Sequence, residues 1–576
     1  MNMPQFFRRS ELGQTLWAFR RQFAIVGVLS AIANLLLLTP TLYMLQVYDR
    51  VMTSGSELTL LAVSLITLFL FGVMAVSERL RSHVLVGAGM RLDERLGTRV
   101  FNASFEANLG QSGASPSRAF SDLIEIRQFL TGAGIFALFD VPWAPIYIVV
   151  TFMMHPLLGY TSLAFAVFQG LLAWYGHRNS QAPTEAAVRA NQQSHAYLQS
   201  KLRNSEVLES MGMLPHLAQR WHKQHEQALA ATSRSQAIAH RITAYSKFLR
   251  YTQQSLALGA GALLVIDGQL SPGGMIASNV LMSRALQPID MLVSTWRSFI
   301  SARGAYSRLE KLLNQYPEPD PALSRVPPTG AVTLRGVFAT APARAEPILK
   351  GVDIDIPAGT VVAVVGPSGS GKSTLARTMI GIWPQVSGEV LLDGLPISGW
   401  DRSELGPHIG YLPQDVELFD GTIAENIARF AELDSDKVIA AARAAGLHDM
   451  ILRFPKGYDM PIGEAGGLLS GGQRQRIGLA RAVYGNPALV VLDEPNANLD
   501  DAGEAALARA VQELKARGRT VVLVTHRPSA LAACDRIVLL RNGEVAADGP
   551  RDEVLASLRP PAPPATPVAA ALPNAA

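Results

Sequence analysis

Residues 23–43 are 21 consecutive positions without a charge. At about 1.5 Å per helical residue, such a run spans the roughly 30 Å hydrocarbon core of a bilayer. A helix is what it must become there, because lipid offers the backbone no hydrogen-bond partner. Three more segments reach similar length, 58–76, 135–154 and 157–175, and Asp140 is the only charge in the four. The first run is too long for the roughly 7–15 residue core of a signal peptide and no small-residue cleavage site closes it, so it reads as a membrane span.

Two later stretches, 248–266 and 275–300, are apolar but carry Arg250 in one and Arg284, Asp290 and Arg297 in the other, so hydropathy alone leaves them as candidates. Arg8, Arg9, Arg20 and Arg21 precede the first span, Arg79 and Arg81 follow the second and Arg178 follows the fourth. Positive flanks stay on the cytoplasmic side, which places the amino terminus and everything after residue 300 there. Charged residues are 17% of the chain and hydrophobic ones 48%, which excludes a disordered, solvating chain. The net charge of +4 over 576 residues is too small to argue for nucleic acid, and none is expected as a partner. Cys534 is the one cysteine, which excludes a disulfide framework and a cysteine metal site within the chain; it reads as a small buried side chain.

Helix-favouring polar stretches at 91–107 and 185–236 are long enough to carry the span helices some 40 Å beyond the membrane as cytoplasmic stalks. Turn residues at 110–116 (GQSGASP) and 212–215 mark the expected tips. Residues 314–330 hold five prolines in seventeen positions and read as a linker. The expected organisation is a cytoplasmic segment at 1–21, a membrane unit at 22–313, the linker, a soluble α/β unit at 331–557, and a Pro/Ala-rich tail at 558–576 whose composition predicts disorder. Apolar runs at 361–365, 489–492 and 521–524 fit strands of a parallel sheet covered on both faces.

The sequence GPSGSGKST, residues 366–374, follows the first of these runs and opens an apparent helix. This is the context of a phosphate-binding loop, in which the backbone N–H groups around Gly366, Ser368, Gly369, Ser370, Gly371 and Thr374 turn toward phosphates. Lys372 would reach the β- and γ-phosphates and Ser373 would ligate Mg2+. The second run ends in Asp493 and Glu494, one carboxylate able to hold the metal and the other to take a proton from an attacking water. LLSGGQRQR offers Ser470, Gly471, Gly472 and Gln473 ahead of another helix, a second place for phosphate oxygens.

These motifs, with Gln414 in GYLPQD, Asp500 in NANLD and His526 in VTHRPS, resemble in order and spacing the ATPases of ABC transporters. In the membrane half, NLLLLTPTLYMLQVYDRVMTSGSELTL, FDVPWAPIYIV and ESMGMLPHLAQRW resemble type I protein-secretion ABC exporters, of the branch exporting proteases, lipases and repeat-toxin-like proteins. DVELFDGTIAENIARF in the ATPase half does the same. The resemblance implies a polytopic α-helical membrane domain of six spans, with cytoplasmic stalk helices, fused to an α/β P-loop ABC nucleotide-binding domain. It implies ATP and Mg2+ as cofactors, and the bacterial inner membrane as the location, with the ATPase in the cytoplasm.

Carried over by position, the resemblance gives Lys372 and its loop to the phosphates, Ser373, Gln414 and Asp493 to the metal, Glu494 to the hydrolytic base and His526 to the γ-phosphate. Ser470, Gly471, Gly472 and Gln473 would close on ATP held by a second copy, with Asp500 at that interface, so the chain is expected to act as a homodimer. The family also places an aromatic on the adenine; Phe338 is the only aromatic between Val332 and Thr360, with Thr340 and Ala341 as the alternatives for that place. The implied function is ATP-driven export of an unfolded polypeptide through a periplasmic adaptor (membrane fusion protein) and an outer-membrane duct, the alternative being a lipid or drug exporter on the same fold. With about 21 residues before the first span there is no room for an amino-terminal peptidase, so cargo is expected to travel untrimmed.

In the sixth candidate span, Asn279, Ser283, Gln287, Asp290, Ser294, Arg297 and Ser301 fall within roughly 80° of arc at about 100° per residue. The stripe is expected to line a cavity on the two-fold axis, with Arg284 at its edge, or else to bind neighbouring helices.

Overall fold

The computed structural model describes residues 10–110, 116–202, 205–318, 326–341, 346–383, 386–463, 466–525 and 527–558. Residues 111–115 of the first expected tip, 319–325 of the linker, His526, and 559–576 of the tail therefore lie outside the described residues. The main division between two compact units falls between Pro317 and Glu318.

In the first unit, α1 (Glu11–Ala18) is capped by Ser10, whose Oγ accepts from the Gly13 N–H at 3.1 Å. The first span is α2 (Arg20–Leu36) followed by α3 (Thr39–Gln46), which has a proline in its first turn, and it ends in a π-helical turn, Val47–Val51. The second is α4 (Glu57–Gly110), 54 residues without a break. At about 1.5 Å per residue this exceeds twice the hydrocarbon thickness, so the span and its stalk are one continuous helix. After α5 (Pro116–Thr131) comes a broken third span, α6 (Ala133–Asp140) and α7 (Ala144–Met154), joined by a 3-10 turn holding Pro142. The long helices α8 (Pro156–Leu202), α9 (Leu214–Ile266) and α10 (Pro272–Gln315) complete the unit.

Four helical stretches, Arg20–Ser54, Glu57–Leu109, Ala133–Met154 and Pro156–Gln199, are long and apolar enough to cross a membrane. The fifth and sixth helices, 53 and 44 residues long, have the length but not the composition. Their charges answer one another. Asp290 of α10 lies 3.7 Å from Arg250 of α9, accepts from Ser246 Oγ at 2.5 Å, and accepts from the Gln169 amide of α8. In the third span, Asp140 is 3.2 Å from Arg81 of α4 and accepts from Asn34 Nδ2 of α2 at 2.7 Å, while Tyr147 Oη donates to the Asn34 carbonyl at 2.7 Å. Pairing removes most of the cost of a charge in lipid.

The polar stripe on α10 divides. Asp290 and Ser283, which accepts from Gln254 Nε2 at 3.0 Å, serve as inter-helix bonds. Gln287, Ser294 and Arg297 stay exposed, and Arg284 donates to Gln287 Oε1 at 2.9 Å. At the start of α10, Asp49 accepts from Ser271 Oγ at 2.5 Å and from the Gly273 N–H at 2.8 Å; a Cβ at Gly273 would stand 2.6 Å from that carboxylate. At its far end, buried Leu309 and Leu313 pack with Leu12, Leu92 and Leu96, and Arg99 donates to the Leu313 carbonyl at 3.3 Å and to that of Tyr316.

The second unit holds two sheets. Strands β1 (Val332–Thr340), β2 (Pro347–Ile356), β4 (Val386–Leu392) and β5 (Leu395–Pro396) form an antiparallel sheet in the order β2-β1-β4-β5. Strands β3 (Val361–Val365), β6 (Ile409–Leu412), β7 (Leu489–Asp493), β8 (Thr520–Val524), β9 (Arg536–Arg541) and β10 (Glu544–Pro550) form the other, in the order β10-β9-β3-β8-β7-β6. All neighbours in it are parallel except β9 and β10. Strands β3, β7 and β8 are buried at every position because the sheet has a core on each face, Val361 and Ala363 pointing into one and Val362 and Val364 into the other. Cys534 is buried in the first of these cores, as its composition-based reading expects.

Candidate nucleotide site

The loop after β3 leads into α11 (Lys372–Met379). Gly371, at its amino end, has φ +100°, a conformation that costs a side-chain-bearing residue strain. A Cβ at Gly366 would lie 2.2 Å from the Leu540 carbonyl, so only glycine lets the loop pass β9 there. Lys372 is 7% exposed and its Nζ donates to the carbonyls of Gly366 and Pro367, both at 2.9 Å. The lysine thus ties the loop's beginning to its end. Ser370 Oγ is buried and finds no hydrogen-bond partner among the described residues.

Asp493 ends β7 fully buried. Its Oδ1 accepts from Ser373 Oγ at 3.1 Å, and its Oδ2 has no partner among the described residues. Burial pushes its pKa above the usual carboxylate range, against the Ser373 hydrogen bond, and the charge of Glu494 adds to the rise. Glu494 itself has φ +48°, left-handed for a residue with a side chain, and is held there by its N–H on the Val524 carbonyl of β8 at 3.0 Å. Gln414, two residues past β6, donates from Nε2 to Glu494 Oε2 at 3.1 Å. Lys372, Ser373, Asp493, Glu494 and Gln414 therefore form one continuous group at the carboxyl ends of β3, β7 and β6 in one parallel sheet, the end where open α/β sheets bind ligands.

The second motif stands apart from this group. Ser470 caps α12 (Gly471–Val483) in a reciprocal box with Gln473, whose N–H donates to Ser470 Oγ at 3.3 Å while its Oε1 accepts from the Ser470 N–H at 2.8 Å. Among the described residues no hydrogen bond joins 470–473 to 366–374. Asp500 caps α13 (Asp501–Ala516), accepting from the Gly503 N–H at 2.9 Å, and pairs with Arg476 of α12. A Cβ at Gly472 would lie 2.8 Å from the Asn498 carbonyl, so the NANLD loop rests against the Gly-Gly turn. Neither Asn498 nor Arg476 carries a sequence signal for this contact; the spacing of LSGGQ and NANLD says only that both are present.

Phe338, the expected adenine contact, lies on the exposed face of β1. On β1 its neighbours Val337 and Ala339 are buried, and strand alternation turns Phe338 to the other face, 43% exposed and close over Gly351. A Cβ at Gly371, in the loop, would touch both Leu349 and Ile348, neighbours on β2.

Residues 349–497 match the family model of the ABC transporter and residues 23–289 that of the ABC transporter transmembrane region. The chain is 43% identical over 556 residues to the type I secretion system ATP-binding protein PrsD of Rhizobium meliloti (strain 1021), covering 96% of each. It is 29% identical over 546 residues to the leukotoxin translocation ATP-binding protein LktB of Bibersteinia trehalosi, covering 93% of this chain and 77% of that one. The exotoxin translocation ATP-binding protein PaxB of Pasteurella aerogenes is 29% identical over 548 residues, at 93% and 76% coverage. Among solved structures, a bacterial Atm1-family ABC exporter with ATP bound superposes with a TM-score of 0.82 at 24% identity, over 94% of this chain and 96% of that one. The chain belongs to the ABC transporters of type I secretion systems, membrane proteins that join an ABC transmembrane region to an ABC ATPase and couple ATP hydrolysis to transport.

Proposed function

We propose that this chain drives an unfolded polypeptide out of the cytoplasm across the bacterial inner membrane, as a homodimer working with a periplasmic adaptor and an outer-membrane duct. The observation that carries this reading is the 43% identity to PrsD, which runs through the membrane unit as well as the ATPase. The likeness to the Atm1-family exporter carries fold alone and lends no weight to lipid or drug cargo.

Within the site, Gly366, Ser368, Gly369, Ser370, Gly371, Lys372 and Thr374 hold the phosphates. The unpartnered Oδ2 of Asp493, beside the Ser373–Asp493 hydrogen bond, fits the all-oxygen surroundings a Mg2+ ion takes, with Gln414 at its edge. When bound, the metal neutralises charge across the phosphate oxygens. Glu494 takes the proton of the attacking water, and the Gln414 amide holds its Oε2 in place. By resemblance to the family, Ser470, Gly471, Gly472 and Gln473 serve the nucleotide of a second copy, with Asp500 at the joint and His526 on the γ-phosphate of its own. Two copies with two composite sites follow, related by a two-fold axis.

The test is made in cells that secrete a known cargo. Replacing the chain with its Glu494→Gln variant should leave the cargo inside the cell and the envelope lipids unchanged. Continued secretion, or altered lipid distribution with secretion intact, would overturn the reading in favour of a different cargo class.

A further inference from the structure

Arg429 and Phe430 leave the helix at Ile423–Ile427 in left-handed conformations, φ +59° and +57°, a pair of strained residues in succession. The Phe430 N–H closes the turn on the Glu425 carbonyl at 2.9 Å, and this geometry sends the Arg429 side chain inward. Its guanidinium has no carboxylate partner among the described residues. It donates instead to five main-chain carbonyls: Nε to Arg481 at 3.0 Å, Nη1 to Gly406 at 2.8 Å and Ile409 at 3.0 Å, and Nη2 to Ala482 at 3.1 Å and Tyr484 at 3.3 Å. Arginine has five N–H donors in a rigid planar fork, and here each has an acceptor. Burial beside Arg481 lowers its pKa to about 10, still well above neutrality, so the charge remains.

The two ends that this fork joins are the two halves of the chemistry. Arg481, Ala482 and Tyr484 are at the carboxyl end of α12, whose amino end is Ser470, and a cation there satisfies carbonyls the helix leaves open. Gly406 precedes β6 and Ile409 begins it, and Gln414 follows two residues after its end. The same two elements are also in close packing: a Cβ at Gly478 of α12 would lie 2.8 Å from both Leu412 and Val416, on either side of Gln414. We propose that Arg429 is a positioning residue for hydrolysis, locking α12 to the Gln414 strand so that the Gln414–Glu494 contact and the placement of Ser470 are set by one rigid body. The inference rests on the roles given above to Gln414, Glu494 and Ser470.

The experiment compares the full-length transporter with Arg429→Gln, Arg429→Lys and Gly478→Ala, measuring steady-state phosphate release and equilibrium MgATP binding. Arg429→Gln should lower kcat about 10- to 100-fold with KM and nucleotide affinity within about twofold, the mark of misplaced groups rather than lost binding. Arg429→Lys should not rescue it, since three donors on one point cannot serve five carbonyls. Gly478→Ala, which pushes the same elements apart without touching the arginine, should show the same split and decides the matter if the arginine variants do not fold. Unchanged kcat in folded Arg429→Gln, rescue by lysine, or unchanged kcat in Gly478→Ala would each overturn the proposal. Glu494→Gln is assayed alongside: normal turnover there would remove the underlying role assignment whatever the arginine variants do.

Discussion

Two carboxylates, one half-buried and one buried, separate the halves of this molecule. Asp290, in the membrane unit, is engaged through both oxygens by Ser246, Gln169 and Arg250. Asp493, in the ATPase unit, is more deeply buried and keeps Oδ2 open among the described residues. In lipid the alternative to a partner is hydrocarbon, so a charge there is balanced by its neighbours and holds helices together. In the ATPase an unbalanced carboxylate is tolerable because a ligand completes it, at the expense of stability until the ligand arrives. A satisfied buried charge points to architecture, and an unsatisfied one to a site.

The contrast can be broken in several places. The largest effect belongs to Glu494→Gln, which should reduce phosphate release by about 10² to 10⁴-fold while leaving nucleotide affinity near normal, as read by hydrolysis and binding assays on the purified dimer. Near-normal turnover would mean that the open carboxylates of the ATPase are architectural after all. Next in size, Asp290→Ala leaves Arg250, Ser246 and Gln169 without their shared acceptor and should cost about 1.5 to 3 kcal/mol in the membrane unit, whereas Asp290→Asn combined with Arg250→Gln should recover most of it. Thermal unfolding in detergent reports both, and equal losses for the two variants would show that the pair itself contributes nothing.

A smaller effect of opposite sign is expected at Asp493. Folding raises its pKa, so its contribution favours the folded state below the ordinary carboxylate pKa and is lost as pH rises through the raised value. Asp493→Asn removes that loss and should raise the melting temperature of the nucleotide-free protein at neutral pH, by about 2 to 4 °C for each kcal/mol gained, while abolishing Mg2+-dependent stabilisation by ATP. A lowered melting temperature would refute the idea that the site is held at a cost. The smallest signal is a labelling contrast on α10. In a Cys534→Ser background, cysteines at Gln287 and Ser294, both exposed, should react with a water-soluble maleimide, and one at Leu281, 1% exposed, should not. Equal reaction at all three would mean that the stripe has no wet side.

What could be read in the sequence follows the same line. The phosphate loop is legible because its glycines and Lys372 are each required by local geometry, with the strand before and the helix after in plain view. Four spans are legible because lipid demands unbroken apolar runs. The fifth and sixth were obscured by Arg250 and Asp290, which look like defects singly and cancel only when two helices meet. The face that Phe338 takes was not legible, because register shifts along β1, between Leu334 and Val337 and again between Val337 and Ala339, decide it. Arg429 left no trace at all, since it acts on main-chain carbonyls that no residue type advertises.

The Arg81–Asp140 pair also bears on how the protein is made. Synthesis runs from the amino end, so Asn34 and Arg81 reach the membrane before Asp140, which lies 59 residues after the arginine. A lone carboxylate costs about 2.5 to 3.5 kcal/mol at a helix centre on translocon-insertion scales, and less at Asp140, which lies nearer one end of its apolar run. The third hydrophobic segment is broken by Pro142 and is the one of the first four apolar runs that carries a charge. Its entry is favoured only while the first two helices remain beside the insertion channel with Arg81 and Asn34 facing the newcomer. The ion pair that fixes three helices in the finished transporter thus sets a deadline during translation: the early helices must not drift into the lipid before the third one arrives.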